Sequence, residues 1–247
     1  MTGKKLILIL GAGALALCST GRAATLPDAP PNVSEAFVQL PALSIDMLNR
    51  SMRRDLLDYY AADTLRDVKN TLDGVSHLAR PLTDDYLQVQ LTPVSRLTLR
   101  RLMTAKGPVF MTLYTVGDSL QAADTEVAFY DRRMQPLAVK KHLSAPRLDD
   151  FIDSGVKGAA RKELRELVPF VTVEYIVEPE GEKMTARLTA CDYLSLEARE
   201  KIEPYLRDVN YRWTGTAWKK EKILTPERKI NSIAFVMKQR RRTESER

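Results

Sequence analysis

Between Tyr86 and Phe129 the chain alternates apolar and polar residues four times, with no helix-length segment between the repeats. Leu87, Val89 and Leu91 alternate with Gln88 and Gln90, then Leu97 and Leu99 with Arg96, Thr98 and Arg100. Val109, Met111 and Leu113 alternate with Phe110, Thr112 and Tyr114, and Val127 and Phe129 follow. A period of two places alternate side chains on opposite faces, which is the pattern of a strand. Thr92-Pro93, Lys106-Gly107 and the stretch around Gly117-Asp118 supply short turns. Turns this short exclude the crossovers that parallel strands need, so the four strands form an antiparallel meander.

The pattern returns in the second half. Val171, Val173, Tyr175 and Val177 are reversed by Glu178-Pro179-Glu180-Gly181 and answered by Met184, Ala186, Leu188 and Ala190. Val209, Tyr211 and Trp213 then lead through Thr214-Gly215-Thr216 to Trp218 as a second hairpin. The expected class is α+β, antiparallel sheets with helices packed on them.

Helical spacing precedes each run of strands. Ser44 is placed to cap a helix carrying Ile45, Leu48, Met52, Leu56 and Tyr59 on one face, with Arg50, Arg53, Arg54 and Asp58 elsewhere. Leu65, Val68 and Leu72 suggest a second helix from Asp63, stopped by Gly74. Residues 147 to 154 read as a short helix stopped by Gly155, and Ala160, Leu164, Leu167 and Val168 as one ending at Pro169. A further helical insert runs from Ser195 to about Leu206. Helix, helix, four strands thus occurs twice, suggesting two tandem units over 43–143 and 144–224.

The ends carry different signals. Lys4 and Lys5, the apolar run Leu6 to Leu17 and Gly21-Arg22-Ala23 make residues 1–23 a secretory signal peptide. The run is well short of the ~20 residues a membrane-spanning helix requires. Export to the periplasm or beyond is the expected localisation. Leu15-Ala16-Leu17-Cys18 offers an alternative, a lipoprotein anchored at Cys18, although Leu17 is bulky for that motif. Residues 24–42, rich in proline, read as a flexible linker.

Cleavage after Ala23 removes three basic and no acidic side chains, so the formal charge falls from +6 to +3, and the basic tail from Lys238 supplies that remainder. The body is therefore neutral, which argues against nucleic acid as a partner. Residues 225–247 form a basic amphipathic helix and tail. Ile230, Ile233 and Met237 make its apolar stripe, and Lys238, Arg240, Arg241 and Arg242 its cationic end. The favoured role of such a helix is packing on the protein's own sheet, the alternatives being an anionic membrane surface or a partner groove.

Several phrases resemble a known family. Leu43 to Asn49, Leu56-Leu57-Asp58-Tyr59, Leu82 to Pro93 and Asp192-Tyr193-Leu194-Ser195 are similar to a domain-of-unknown-function family of secreted Bacteroidales proteins, over residues 40 to 222. The resemblance implies export and an α+β fold and supplies no catalytic residue. The C-terminal helix falls outside its pattern.

No catalytic constellation assembles from these residues. His77 and His142 have no second ligand at metal-site spacing. Asp84-Asp85 and Asp149-Asp150 are adjacent pairs, the first at a strand entry and the second in a helix's first turn, where negative charge suits the dipole. Cys191 is the lone cysteine after signal removal, without a base nearby in sequence. No phosphate-cradling glycine loop, nucleophile elbow or dinucleotide fingerprint occurs, and no cofactor or metal is expected.

Tyr211, Trp213 and Trp218 remain as candidate binding residues if their hairpin is exposed, and as sheet core if it is not. The expected function is a non-enzymatic binding or envelope-associated module whose partner is an envelope protein or glycan. The alternatives are a hydrolase whose carboxylates meet only in the fold, and a peripheral membrane protein held by the C-terminal helix.

Overall fold

The computed structural model describes residues 32–64, 66–117 and 122–221. The signal segment 1–23, the lipidation candidate Cys18 and the whole C-terminal helix, with Ile230, Ile233, Met237, Lys238, Arg240, Arg241 and Arg242, lie outside the described residues. No helix among those described is long and apolar enough to cross a membrane.

Two antiparallel sheets form, as the alternation predicts. The first has seven strands in sequential order: β1 (Val68–Lys69), β2 (Val75–Ala79), β3 (Tyr86–Thr92), β4 (Ser95–Thr104), β5 (Gly107–Val116), β6 (Asp124–Tyr130) and β7 (Pro136–Leu137). The second has four, β8 (Val173–Val177), β9 (Lys183–Leu188), β10 (Val209–Trp213) and β11 (Trp218–Lys220), each paired with its sequence neighbour. The helices are α1 (Val33–Gln39), α2 (Arg50–Ala61), α3 (Val139–His142), α4 (Leu148–Phe151), α5 (Gly158–Leu167) and α6 (Leu196–Ile202).

The first sheet is buried on both faces, which is why its outward-reading positions also carry apolar side chains. Leu87, Val89, Leu91, Leu97, Leu99 and Phe110 meet Val33, Phe37, Leu48 and Leu56 from the N-terminal segment and its helices. The opposite set, including Tyr86, Leu102, Val109, Met111, Leu113 and Phe129, shares a cluster with the second sheet and with Phe151, Leu164 and Ile202 of α4, α5 and α6. One core thus runs through both halves. Two hydrogen bonds reinforce it: buried Arg100 donates to the Gly181 carbonyl in the β8–β9 turn at 2.8 Å, and Trp213 Nε1 donates to the Met103 carbonyl at 2.9 Å. The exposed edge of β8 is closed by side chains, since Asp124 Oδ1 and Thr125 Oγ1 accept from the amides of Val173 and Tyr175. Such capping removes an edge on which another strand could pair.

Four expectations need correction. The tandem plan underestimates the first half, where seven strands form rather than four. The helix expected from Asp63 is instead the β1–β2 hairpin. Asn70 Oδ1 accepts from the amides of both Leu72 and Gly74, folding a tight turn in which Asp73 takes a positive φ of 59° and Leu72 points to solvent. Asparagine side chains make such turns readily, and this outweighs a three-residue apolar spacing. Helix α2 begins at Asn49, whose Oδ1 accepts from the Met52 amide, whereas Ser44 bonds the Tyr130 hydroxyl at 2.7 Å.

The linker expected over 24–42 also contains α1, capped by Asn32. Val33, Ala36, Phe37 and Leu40 form an i, i+3, i+4, i+7 stripe, all buried, so burial of this face offsets the cost of ordering the segment.

Arg53 holds the N-terminal segment together. It is 2% exposed, where the helical wheel placed it outside. Its Nε donates to the Leu48 carbonyl at 2.8 Å, one terminal nitrogen to the carbonyls of Leu40 (2.6 Å) and Phe37 (3.3 Å), and the other to Ile45 (3.3 Å). Helix α1 carries no basic residue in its own last turn. The guanidinium from α2 therefore serves its C-terminal carbonyls and opposes its dipole. Burial, and then the neighbouring Arg50 charge, pull the Arg53 pKa down.

Candidate functional site: two cavities beside the 40–47 segment

The aromatic candidates do not form a surface. Tyr211, Trp213 and Trp218 are 0, 4 and 2% exposed and belong to the core of the second sheet. Their strand alternation turns them all inward, and the two indoles meet edge to face at 5.5 Å. The Tyr211 hydroxyl donates to the Ser144 carbonyl at 3.0 Å. The binding expectation at these three residues is withdrawn.

The remaining sequence candidates are engaged in structure. Asp149 accepts from Arg161 and Arg165, which ties α4 to α5, and Asp150 accepts from Lys220 and from the Arg147 amide. Asp85 pairs with Arg101 at the entry to β3. His142 stacks on Phe129 at 5.0 Å and its Nδ1 lies 2.9 Å from the Thr216 carbonyl oxygen. His77 lies in β2, 3.5 Å from Asp67. Cys191 is buried in a 3-10 turn, and burial pushes its thiol up to about 11, far from the reactive thiolate range. Among the described residues no cluster of His, Cys, Asp and Glu is arranged to hold a metal ion.

Two cavities lie on the helix-covered side of the first sheet. The larger, about 680 Å³, is an open groove lined by Ser34, Glu35, Val38 and Gln39 of α1, by Arg50, Arg54 and Leu57 of α2, and by Arg133 and Met134. Arg50, Arg54 and Leu57 share one face of α2 by helical spacing. Arg133 is presented by a tight turn in which Asp131 Oδ1 accepts from the amides of both Arg133 and Gln135, and Met134 is buried with φ 57°. None of the three arginines makes an ion pair among the described residues. Arg50 also stands in the first turn of α2, at the positive end of its dipole, where cations are disfavoured.

The smaller cavity, about 230 Å³, is floored by β4, β5 and β6 and roofed by Ser44 to Met47. Cross-strand register places Leu97 beside Tyr114, Tyr114 beside Glu126, and Thr112 beside Ala128. Tyr130, hydrogen-bonded to Ser44, closes one side. Asp46 and Glu126 are the acidic residues that line it, rather than either of the sequence-adjacent pairs.

Sequence reasoning missed both cavities. The signal for the first was present in Arg50 and Arg54, two cations spaced i, i+4 on one face of α2 with Arg50 in its first turn. The second needed the pairing register and the roof.

A family model described as a protein of unknown function (DUF3256) matches residues 29–218. The chain belongs to this family. The match starts within the segment expected as linker, where α1 forms. A domain of an uncharacterised protein from Porphyromonas gingivalis W83 shares the fold, with a TM-score of 0.67 and 17% identity over 79% of this chain and 100% of that one. No curated protein matches the chain. The α+β architecture is thus common to both proteins, and neither the family description nor the solved neighbour states an activity.

Proposed function

We propose that this family member is an exported binding module that uses the arginine groove to hold an anionic group of a cell-envelope component. The observation that carries the reading is the placement of Arg50, Arg54 and Arg133 around the larger cavity without carboxylate partners. Arg50 occupies the first turn of α2, a position that penalises positive charge. Sequences keep such locally unfavourable choices at sites where another gain compensates them. Val38, Leu57 and Met134 add apolar wall beside the charges, so the groove suits an anion carried on a larger body. Planar guanidinium groups recognise carboxylate and phosphate oxygens in paired fashion. The signal segment supports delivery to the envelope, and the basic, amphipathic sequence pattern of residues 225–247 supports a further attachment to an anionic membrane surface.

The test is binding of the mature protein to an acidic polysaccharide, polygalacturonate, and to vesicles containing phosphatidylglycerol, at low and high salt. Salt-sensitive binding that Arg50→Ala/Arg54→Ala/Arg133→Ala abolishes, in a protein that still folds, supports the groove. Binding unchanged by the triple substitution refutes it. Deleting residues 225–247 separates a contribution of the C-terminal helix.

A further inference from the structure

The smaller cavity is chemically unlike the arginine groove, and no cationic side chain lines it. We propose that it binds a hydroxylated ammonium the size of a single sugar ring, an amino sugar being the simplest case. Four observations lead there. The Thr112 side chain is 4% exposed and lines the cavity, and its hydroxyl has no hydrogen-bond partner among the described residues. That hydroxyl is not sealed off, so it opens onto the cavity, where a ligand or water completes its hydrogen bonding. Asp46 and Glu126 bring two carboxylates to the same space, with no ion pair to either among the described residues. Their charge selects a cation and rejects an anion.

The hydroxyls of Ser44 and Tyr130, 2.7 Å apart, and that of Tyr114 add groups that both donate and accept. They match a ligand with several hydroxyls of its own. Finally, the Tyr114 and Tyr130 rings, with Leu97, Met47 and Ala128, supply apolar surface against which a ring can lie and a cation can be attracted. An apolar ligand would cover Thr112 and leave its hydroxyl unanswered. A neutral sugar would meet the hydroxyls and leave the charges unanswered. The roof, Ser44 to Met47, is held by the Arg53 bond to the Ile45 carbonyl, so the site is largely formed before a ligand arrives.

The cavity is tested by following methyl signals of Thr112 and Ala128 by NMR in the full mature chain, titrated at neutral pH with glucosamine, glucose and glucuronate. Saturable shifts with glucosamine are expected, with affinity about tenfold above that for glucose and none for glucuronate. Thr112→Val keeps the side-chain shape and should weaken glucosamine about tenfold, read at Ala128, with the protein as stable as the wild type. Glu126→Gln should bring glucosamine and glucose close together. Equal wild-type affinity for glucose and glucosamine, binding of glucuronate, an unaffected Thr112→Val protein, or no saturable shift with any of the three overturns the proposal. The arginine triple variant should bind glucosamine as the wild type does, so failure of one site leaves the other standing.

Discussion

Replacing Arg53 by methionine should destabilise the protein by about 3 to 4 kcal/mol, because it removes the donors of four carbonyls while filling much the same volume. The two shorter bonds, to Leu40 at 2.6 Å and Leu48 at 2.8 Å, dominate. Stranding a buried acceptor costs about 1–3 kcal/mol, which for these two gives about 2–6 before any relief from no longer burying a cation. The longer bonds to Phe37 and Ile45 add less. Arg53→Lys keeps the charge, but a single ammonium cannot reach carbonyls spread from residue 37 to residue 48. It should recover about half the loss. For a chain of this size the methionine variant should melt on the order of 10 °C lower. Urea unfolding followed by far-ultraviolet dichroism measures the difference, and a similar denaturant slope in both proteins would show that the native state is comparable. Hydrogen exchange should locate the loosening first in α1 and residues 40–48. A methionine variant within about 1 kcal/mol of wild type would refute the assignment of Arg53 as the clasp of this segment.

Three further outcomes follow from the same structure. The Arg165 hydrogen bond, with Arg161, holds the Asp149 carboxyl below its ordinary range, so its stabilisation is present above the unfolded carboxylate pKa and lost as pH falls through the depressed folded value. Asp149→Asn should therefore reduce stability at neutral pH and flatten the acid limb of a stability–pH curve; an acid limb of unchanged steepness would count against the α4–α5 link. Cys191 should resist iodoacetamide at neutral pH in the native protein and react once urea unfolds it, since burial pushes its pKa up to about 11. Alkylation of the native thiol at the rate of free cysteine would show that it is accessible. Trp213 and Trp218 should emit at short wavelength and be poorly quenched by acrylamide, and strong quenching would return them to the surface.

The arrangement couples the groove and the smaller cavity to one structural device. Arg53 fastens the C-terminal end of α1 to the loop before α2, and that loop roofs the smaller cavity while the outer faces of the same helices line the groove. A lesion at Arg53 should thus weaken both sites without touching either lining, whereas the arginine triple variant and Thr112→Val act separately.

Strand periodicity by itself determines most of the architecture. Alternation at Leu87 to Leu91, Val109 to Leu113 and Val173 to Val177 is a local consequence of the pleat, and short turns fix antiparallel neighbours. The same alternation placed Tyr211 and Trp213 together on one face but could not say whether that face met water, because burial depends on what another part of the chain lays across it. Asn70 and Arg53 show the other limit. Each owes its role to acceptors or donors brought close by folding: Asn70 to turn amides that overrule a weak helical spacing, and Arg53 to carbonyls at the end of a different helix. The two cavities are tertiary in the same sense. Thr112, Glu126 and Asp46 come from separate strands and a loop, and only cross-strand register and the packing of the 40–47 segment over the sheet bring them to one space.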